Sequence, residues 1–289
     1  MIWLFAVSLI WAVSFGLIKG QLAGTDPTGV AAVRLCISLL VFLPLFRPGR
    51  VPARQAAGYV AIGAAQFGLM YVLYLAAYAD LAAHEIALFT VLTPLWVAVA
   101  EDALDRRLSP GLLIAALLAV AGAAVVRWTE LASAGVVRGF LLVQASNVCF
   151  AVGQVAYRRL RRRPQAAGVP DHQLFGWLYL GAAATAGALT LAVSGPAAFD
   201  FTGDQWLVLL YLGAVASGLG FYGWNVGATR TDAATLAVFN NLKIPLAILV
   251  SLVVFGEAVA DPLRFALGSG LIVLALTAGR SLRRRPTVG

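Results

Sequence analysis

The chain has 289 residues, 61% of them hydrophobic and only 12% charged. A soluble domain carries about 25% charged residues, so this composition excludes an ordinary soluble fold and, with long apolar runs, places the chain in a lipid bilayer. The net charge of +8 speaks of membrane topology and argues against a nucleic-acid partner, because the basic residues cluster in short loops between apolar runs.

About 20 apolar residues cross a bilayer core. On that rule the sequence predicts ten spans, near 2–20, 28–46, 56–78, 83–103, 110–128, 136–158, 173–194, 205–228, 233–255 and 262–280. The first starts at Ile2 without a basic leader and shows no small-x-small cleavage site, so it reads as a retained helix and not a signal peptide. It carries Trp11, Ser14, Phe15 and Lys19. The second carries Arg34 about a third of the way in, expected to snorkel to the outer surface. The third carries Tyr71, Tyr74 and Tyr78, spaced to share one helix face. The fourth begins at His84 and Glu85, expected as a solvated helix start. It continues through Thr90, Thr93 and Pro94 to Glu101 and Asp102, expected on a solvated cytoplasmic end.

The sixth span carries Phe150, Gly153 and Gln154, and a loop with five arginines follows it. The eighth is rich in glycine, best read as close helix packing, and repeats the third in carrying Tyr222 and Asn225 on one face. The ninth holds Asn240, Lys243 and Pro245. A lysine at the bilayer centre costs about 2.5–3.5 kcal/mol, so it is rarely placed there without a use. Pro245, which cannot donate a backbone hydrogen bond, frees a carbonyl at the same depth. Cys36 and Cys149 lie inside apolar segments, and neither CxxC nor a His-rich pattern occurs. No metal or cofactor is expected.

Basic residues orient the chain. Fifteen Lys and Arg fall on the side of the N-terminus and four on the other, which puts both termini in the cytoplasm. Residues 10–19 align with 149–158, and 86–94 with 237–245, bringing Pro94 onto Pro245 and, further back, Tyr71 onto Tyr222. Each copy holds five spans. Five is odd, so the second copy enters the membrane inverted. The predicted fold is therefore an all-α membrane protein of ten transmembrane helices, built as two inverted five-helix repeats over residues 1–130 and 135–289.

These features, with W-x-x-S-F at Trp11, Ser14 and Phe15 and with Phe255-Gly256-Glu257 closing the ninth span, resemble the EamA-type transporters of the drug/metabolite transporter superfamily. The amino-acid exporters of the YddG type are among them. In the first copy the Gly-Glu position reads Asp105-Arg106, a departure from that pattern. The resemblance implies export of small metabolites by alternating access across a bacterial inner membrane.

From the residues, the polar stripes of the third, fourth, eighth and ninth spans predict a central pathway. Its walls are Tyr71, Tyr74, Tyr78, Thr90, Thr93, Tyr222, Asn225, Asn240 and Lys243, and Pro94 and Pro245 serve as hinges. Structural roles compete: tyrosines near span ends form aromatic belts, Asn and Thr bond helix to helix, and Lys243 could pair with Glu85 or a freed carbonyl. Lys243 suits a carboxylate, and tyrosine-rich walls suit an apolar side chain. The expected substrate is thus an aromatic or other neutral amino acid, with another organic anion or a sugar derivative, or passive conduction, as alternatives. Paired mid-span carboxylates, G-x-S-x-G and H-E-x-x-H do not occur, so enzyme chemistry is not expected.

Overall fold

A computed structural model describes residues 2–106, 133–163, 168–231, 233–259 and 261–283, with isolated positions between 114 and 125. Among the described residues the regular structure is all helical. Nine rods are traced: α1 (Ile2–Gln21), α2 (Pro27–Leu45), α3 (Ala53–Ala79), α4 (Ala83–Leu104), α5 (Ala134–Arg161), α6 (Asp171–Val193), α7 (Gly203–Arg230), α8 (Ala233–Val253) and α9 (Pro262–Arg283). The first seven are long and apolar enough to cross a membrane, and α8 adds an apolar stretch at Val238–Val253. The expected span at 110–128 falls almost wholly outside the described residues.

Side chains near and far in sequence close the ends of the rods. Asp26 caps α2, its carboxylate accepting from the backbone N–H groups of Thr28 and Gly29, with Pro27 in the first turn where no donor is needed. At the far end of α3, the Lys19 ammonium donates to the carbonyls of Tyr78 and Leu81 at 2.8 and 3.0 Å, closing a helix terminus that would otherwise carry bare acceptors in an apolar setting.

Two rods are not uniform α-helices. α3 passes through a π-helical segment at Ala64–Leu69, and α7 through another at Leu212–Leu219. Under the alignment that sets Tyr71 on Tyr222, these segments overlap. A π segment displaces carbonyls from the regular ladder, and in a membrane those groups need other donors. Side chains of neighbouring rods supply them in α7. Ser38 donates to Gly213 O, the Trp11 indole to Ala216 O, and the Tyr179 hydroxyl to Ser217 O and Gly218 O.

α4 breaks in the middle for a related reason. Thr90–Leu92 tightens into a 3₁₀ turn, and the helix restarts at Thr93 with Pro94 in its first turn. The Thr93 N–H bonds Thr90 O instead of Phe89 O. Asn147 of α5 donates to the released Phe89 carbonyl at 3.1 Å.

Packing follows from small residues. A Cβ on Gly63 of α3 would lie 1.8 Å from Leu178 O of α6, and one on Gly181 of α6 would lie 2.0 Å from Val60 O of α3. The two backbones are in direct contact through reciprocal glycines. One aromatic core, including Phe42, Phe67, Phe175, Tyr179, Phe221 and Trp224, joins α2, α3, α6 and α7. A second surrounds α4, with Phe15 of α1, Val143 of α5 and Ile244 of α8. The gap between these cores holds the polar site.

Candidate functional site

α1 packs against α7 and α8, α2 against α6 and α7, and α4 against α5 and α8. These pairings leave a cavity of about 80 Å³. Its apolar walls come from Trp11 and Phe15 of α1, Tyr71 and Tyr74 of α3, Phe150 of α5 and Phe221 of α7. Trp11 lies 5.0 Å from Phe221 between ring centroids, and Tyr74 meets Phe15 edge to face at 5.9 Å.

Two basic side chains enter this aromatic chamber. Lys243 stands in the middle of α8 beside Pro245 and is buried. Its ammonium donates to the Asn240 side-chain oxygen at 3.2 Å and lies 5.0 Å from the Trp11 ring centroid. Arg34 is the second. It is only 1% exposed, which overturns the expectation that it reaches the membrane surface. Its guanidinium lies 4.3 Å from the Tyr71 ring centroid. Its Nη2 donates to the Tyr71 hydroxyl at 2.8 Å and to Ser217 Oγ at 3.1 Å, and its Nε to the same Ser217 oxygen at 3.3 Å. No acidic residue lines the cavity among the described residues.

The residues expected to form the pathway divide in three. Tyr71, Tyr74, Thr90, Thr93 and Lys243 line the cavity. The Thr90 hydroxyl bonds Ala87 O and that of Thr93 bonds Thr90 O and Asn147, so both also serve the break in α4. Asn240 and Tyr78 stand one hydrogen bond away, Asn240 on Lys243 and Tyr78 on the Tyr74 hydroxyl at 2.7 Å. Tyr222 packs against Phe42 and Phe175, and Asn225 bonds Gln66. Neither lines this cavity. Pro94 follows the 3₁₀ turn of α4, and Pro245 lies inside an unbroken α8. Sequence reasoning did not expect the other ten lining residues, among them Trp11, Phe15, Arg34, Asn147, Phe150 and Phe221.

Beyond the cavity, His84 and Glu85 are buried rather than solvated. Glu85 accepts from the Ala82 backbone N–H at 2.9 Å. At the other end of α4, Glu101 pairs with Arg158 of α5 at 3.1 Å and Asp102 is buried, so that end is not a solvated face either.

Long apolar helices thus surround an aromatic chamber that holds Arg34 and Lys243 and, among the described residues, no acid, and the class of protein is a membrane transporter. The chain belongs to the EamA-like transporter family, whose model matches residues 1–128 and again 137–278. It is 41% identical over 283 residues to a probable biotin transporter of Pseudomonas aeruginosa, covering 98% of each chain. It is 39% identical over 275 residues to the biotin transporter of Escherichia coli K12, covering 94% of this chain and 90% of the relative. The aromatic amino acid exporter YddG of Ancylobacter novellus is 31% identical over 206 residues, covering 70% of this chain and 68% of the exporter. A protein of known crystal structure, 24% identical, aligns over 99% of this chain with a TM-score of 0.67, which shows a shared fold.

Proposed function

We propose that the chain is a secondary transporter of the bacterial inner membrane whose substrate is a small monocarboxylate with a compact ring system, biotin being the first choice. Ten helices in two inverted units, 1–130 and 135–289, with both termini cytoplasmic, would give it alternating access. Pro94 and Pro245 are the proposed hinges. One observation carries the substrate reading: Arg34 and Lys243 share a cavity that no acid lines among the described residues. Isolated charges in an apolar interior are costly, and an anionic substrate supplies the missing counter-charge. The aromatic walls suit its ring, and relatives 39–41% identical over nearly the full chain bear the name of biotin transporters.

Export of aromatic or other neutral amino acids is the second reading. It draws on the aromatic walls and on the likeness to YddG. A zwitterionic amino acid, however, would bring an ammonium into a cavity that already holds two basic side chains and, among the described residues, offers no carboxylate. The deciding experiment is a counterflow assay in proteoliposomes with labelled biotin, and with labelled phenylalanine and tryptophan in parallel. Saturable biotin counterflow supports the first reading. Counterflow of the amino acids alone replaces it with the second.

A further inference from the structure

Arg34 has a hydrogen-bonding inventory that Lys243 does not share. A guanidinium offers five N–H donors. Nε and Nη2 of Arg34 are occupied by Ser217 and Tyr71, both neutral. Nη1 is buried with no protein partner, while the residue lines the cavity. Carboxylate recognition by arginine uses two nitrogens side by side, a fork that grips both oxygens. That fork is not available here, because Nη2 is spent on Tyr71 and Ser217. What remains is one nitrogen with two donors, matched to a single strongly accepting oxygen. Lys243, with one contact to Asn240 and rotatable donors on a flexible stem, is the group free to meet a carboxylate.

We propose that Arg34 reads the end of the substrate remote from the carboxylate, through one hydrogen-bonded carbonyl oxygen of a urea or amide. This rests on the biotin reading and sharpens it. The site then selects acids that carry both a carboxylate and a neutral carbonyl acceptor, and rejects acids of similar length whose ring lacks that carbonyl.

The experiment measures inhibition of labelled biotin uptake into proteoliposomes by four unlabelled competitors: biotin, desthiobiotin, biotin amide and lipoate. Desthiobiotin keeps the ureido carbonyl and the carboxylate. Lipoate keeps a pentanoate on a sulfur ring but has no carbonyl on that ring. Biotin amide keeps the ureido group and loses the charge. Wild-type protein should bind desthiobiotin nearly as well as biotin, and lipoate about 10- to 100-fold more weakly.

Arg34→Met should lower affinity for biotin by a similar factor while leaving lipoate unchanged, so that the preference collapses. The substitution leaves Tyr71 and Ser217 hydrogen-bonded to each other at 2.9 Å, so the hydroxyls are not stranded. Arg34→Lys, which retains a donor, should recover part of the preference.

Equal loss of biotin and lipoate in a folded, monodisperse Arg34→Met protein would make Arg34 structural and overturn the proposal. So would loss of discrimination between biotin and biotin amide, which would give Arg34 the carboxylate. Wild-type protein that takes up no biotin removes the substrate reading itself, and this inference with it.

Discussion

The Glu257 carboxylate lies 2.8 Å from His84 Nδ1 and also accepts the backbone N–H groups of Ala83 and His84, so the loop after α8 caps the first turn of α4. Ser251 adds a further short hydrogen bond from the end of α8. Partial burial pushes the Glu257 carboxyl up. The donors from His84, Ser251, Ala83 and the His84 backbone outweigh it and hold the group down at about 2, below an ordinary value of 4.5. The Phe255-Gly256-Glu257 sequence thus acts as a clasp between two rods. Gly256, at φ +66, supplies the left-handed turn that presents it.

Glu257→Gln should therefore destabilise the protein. The cap loses its charge, at a cost of about 0.5–2 kcal/mol. The sign with pH follows from linkage. A carboxyl depressed in the folded state stabilises fully above its unfolded value, and that contribution is lost as pH falls from about 4.5 through about 2. Thermal melts in detergent should show wild type above Glu257→Gln at pH 7, with the gap closing towards pH 3. A gap independent of pH would mean that geometry, and not charge, sustains the clasp.

The reciprocal glycines make a second prediction. Gly63→Ala or Gly181→Ala must separate α3 from α6, because the new methyl would fall on a backbone carbonyl that cannot rotate away. Overpacking of this kind costs about 1–3 kcal/mol. Gly187 lies in the same α6 with open space around it, so Gly187→Ala should be neutral or slightly stabilising through helix propensity. Monodispersity and melting of the three variants check the contrast, and an equal response would place the helix contact elsewhere.

Much of this fold is legible in the sequence because its cause is local. Runs of about 20 apolar residues announce where the rods lie, and the start expected at 28 falls one residue from the observed start of α2 at Pro27. Lys243 and Pro245 mark a polar site from sequence alone, since a mid-span lysine has no cheap structural use. Arg34 carries the same signal but is easily read as snorkelling. It stands seven residues past Pro27, about 10 Å along the helix, and its guanidinium is turned inward by Tyr71 and Ser217, from rods distant in sequence. The π segments are less visible still. They exist because Trp11, Ser38 and Tyr179 satisfy carbonyls on α7, a tertiary condition that no periodicity within α7 reports. His84 and Glu85 look like a hydrated helix start, but elements distant in sequence cover them: Glu257, 173 residues away along the chain, binds His84, and Phe265 packs against its ring.

Orientation can be tested without ligand. With Cys36 and Cys149 replaced, a single cysteine at Ser281 should escape an impermeant thiol reagent applied to intact cells and react once the membrane is opened. The 15-to-4 bias of basic residues predicts this result. Efficient labelling from outside would reverse the topology and with it the cytoplasmic placement of both termini.

Lys243 provides the sharpest test of the substrate class. Lys243→Met removes the charge and keeps a long flexible stem that can still pack near Trp11, so the rods should assemble normally. Asn240 loses a donor but remains beside a polar cavity. A charge-assisted hydrogen bond is worth about 1.5–3 kcal/mol, which corresponds to about 10- to 150-fold in affinity. Biotin uptake should fall by that factor at low concentration, whereas biotin amide, an uncharged competitor, should bind the variant nearly as well as wild type. Lys243→Arg restores the charge with a bulkier, planar head and should recover binding only in part. Equal losses for biotin and its amide in a folded Lys243→Met protein would show that the lysine organises α8 or gates the cavity, and the counter-charge for the substrate would then have to come from Arg34.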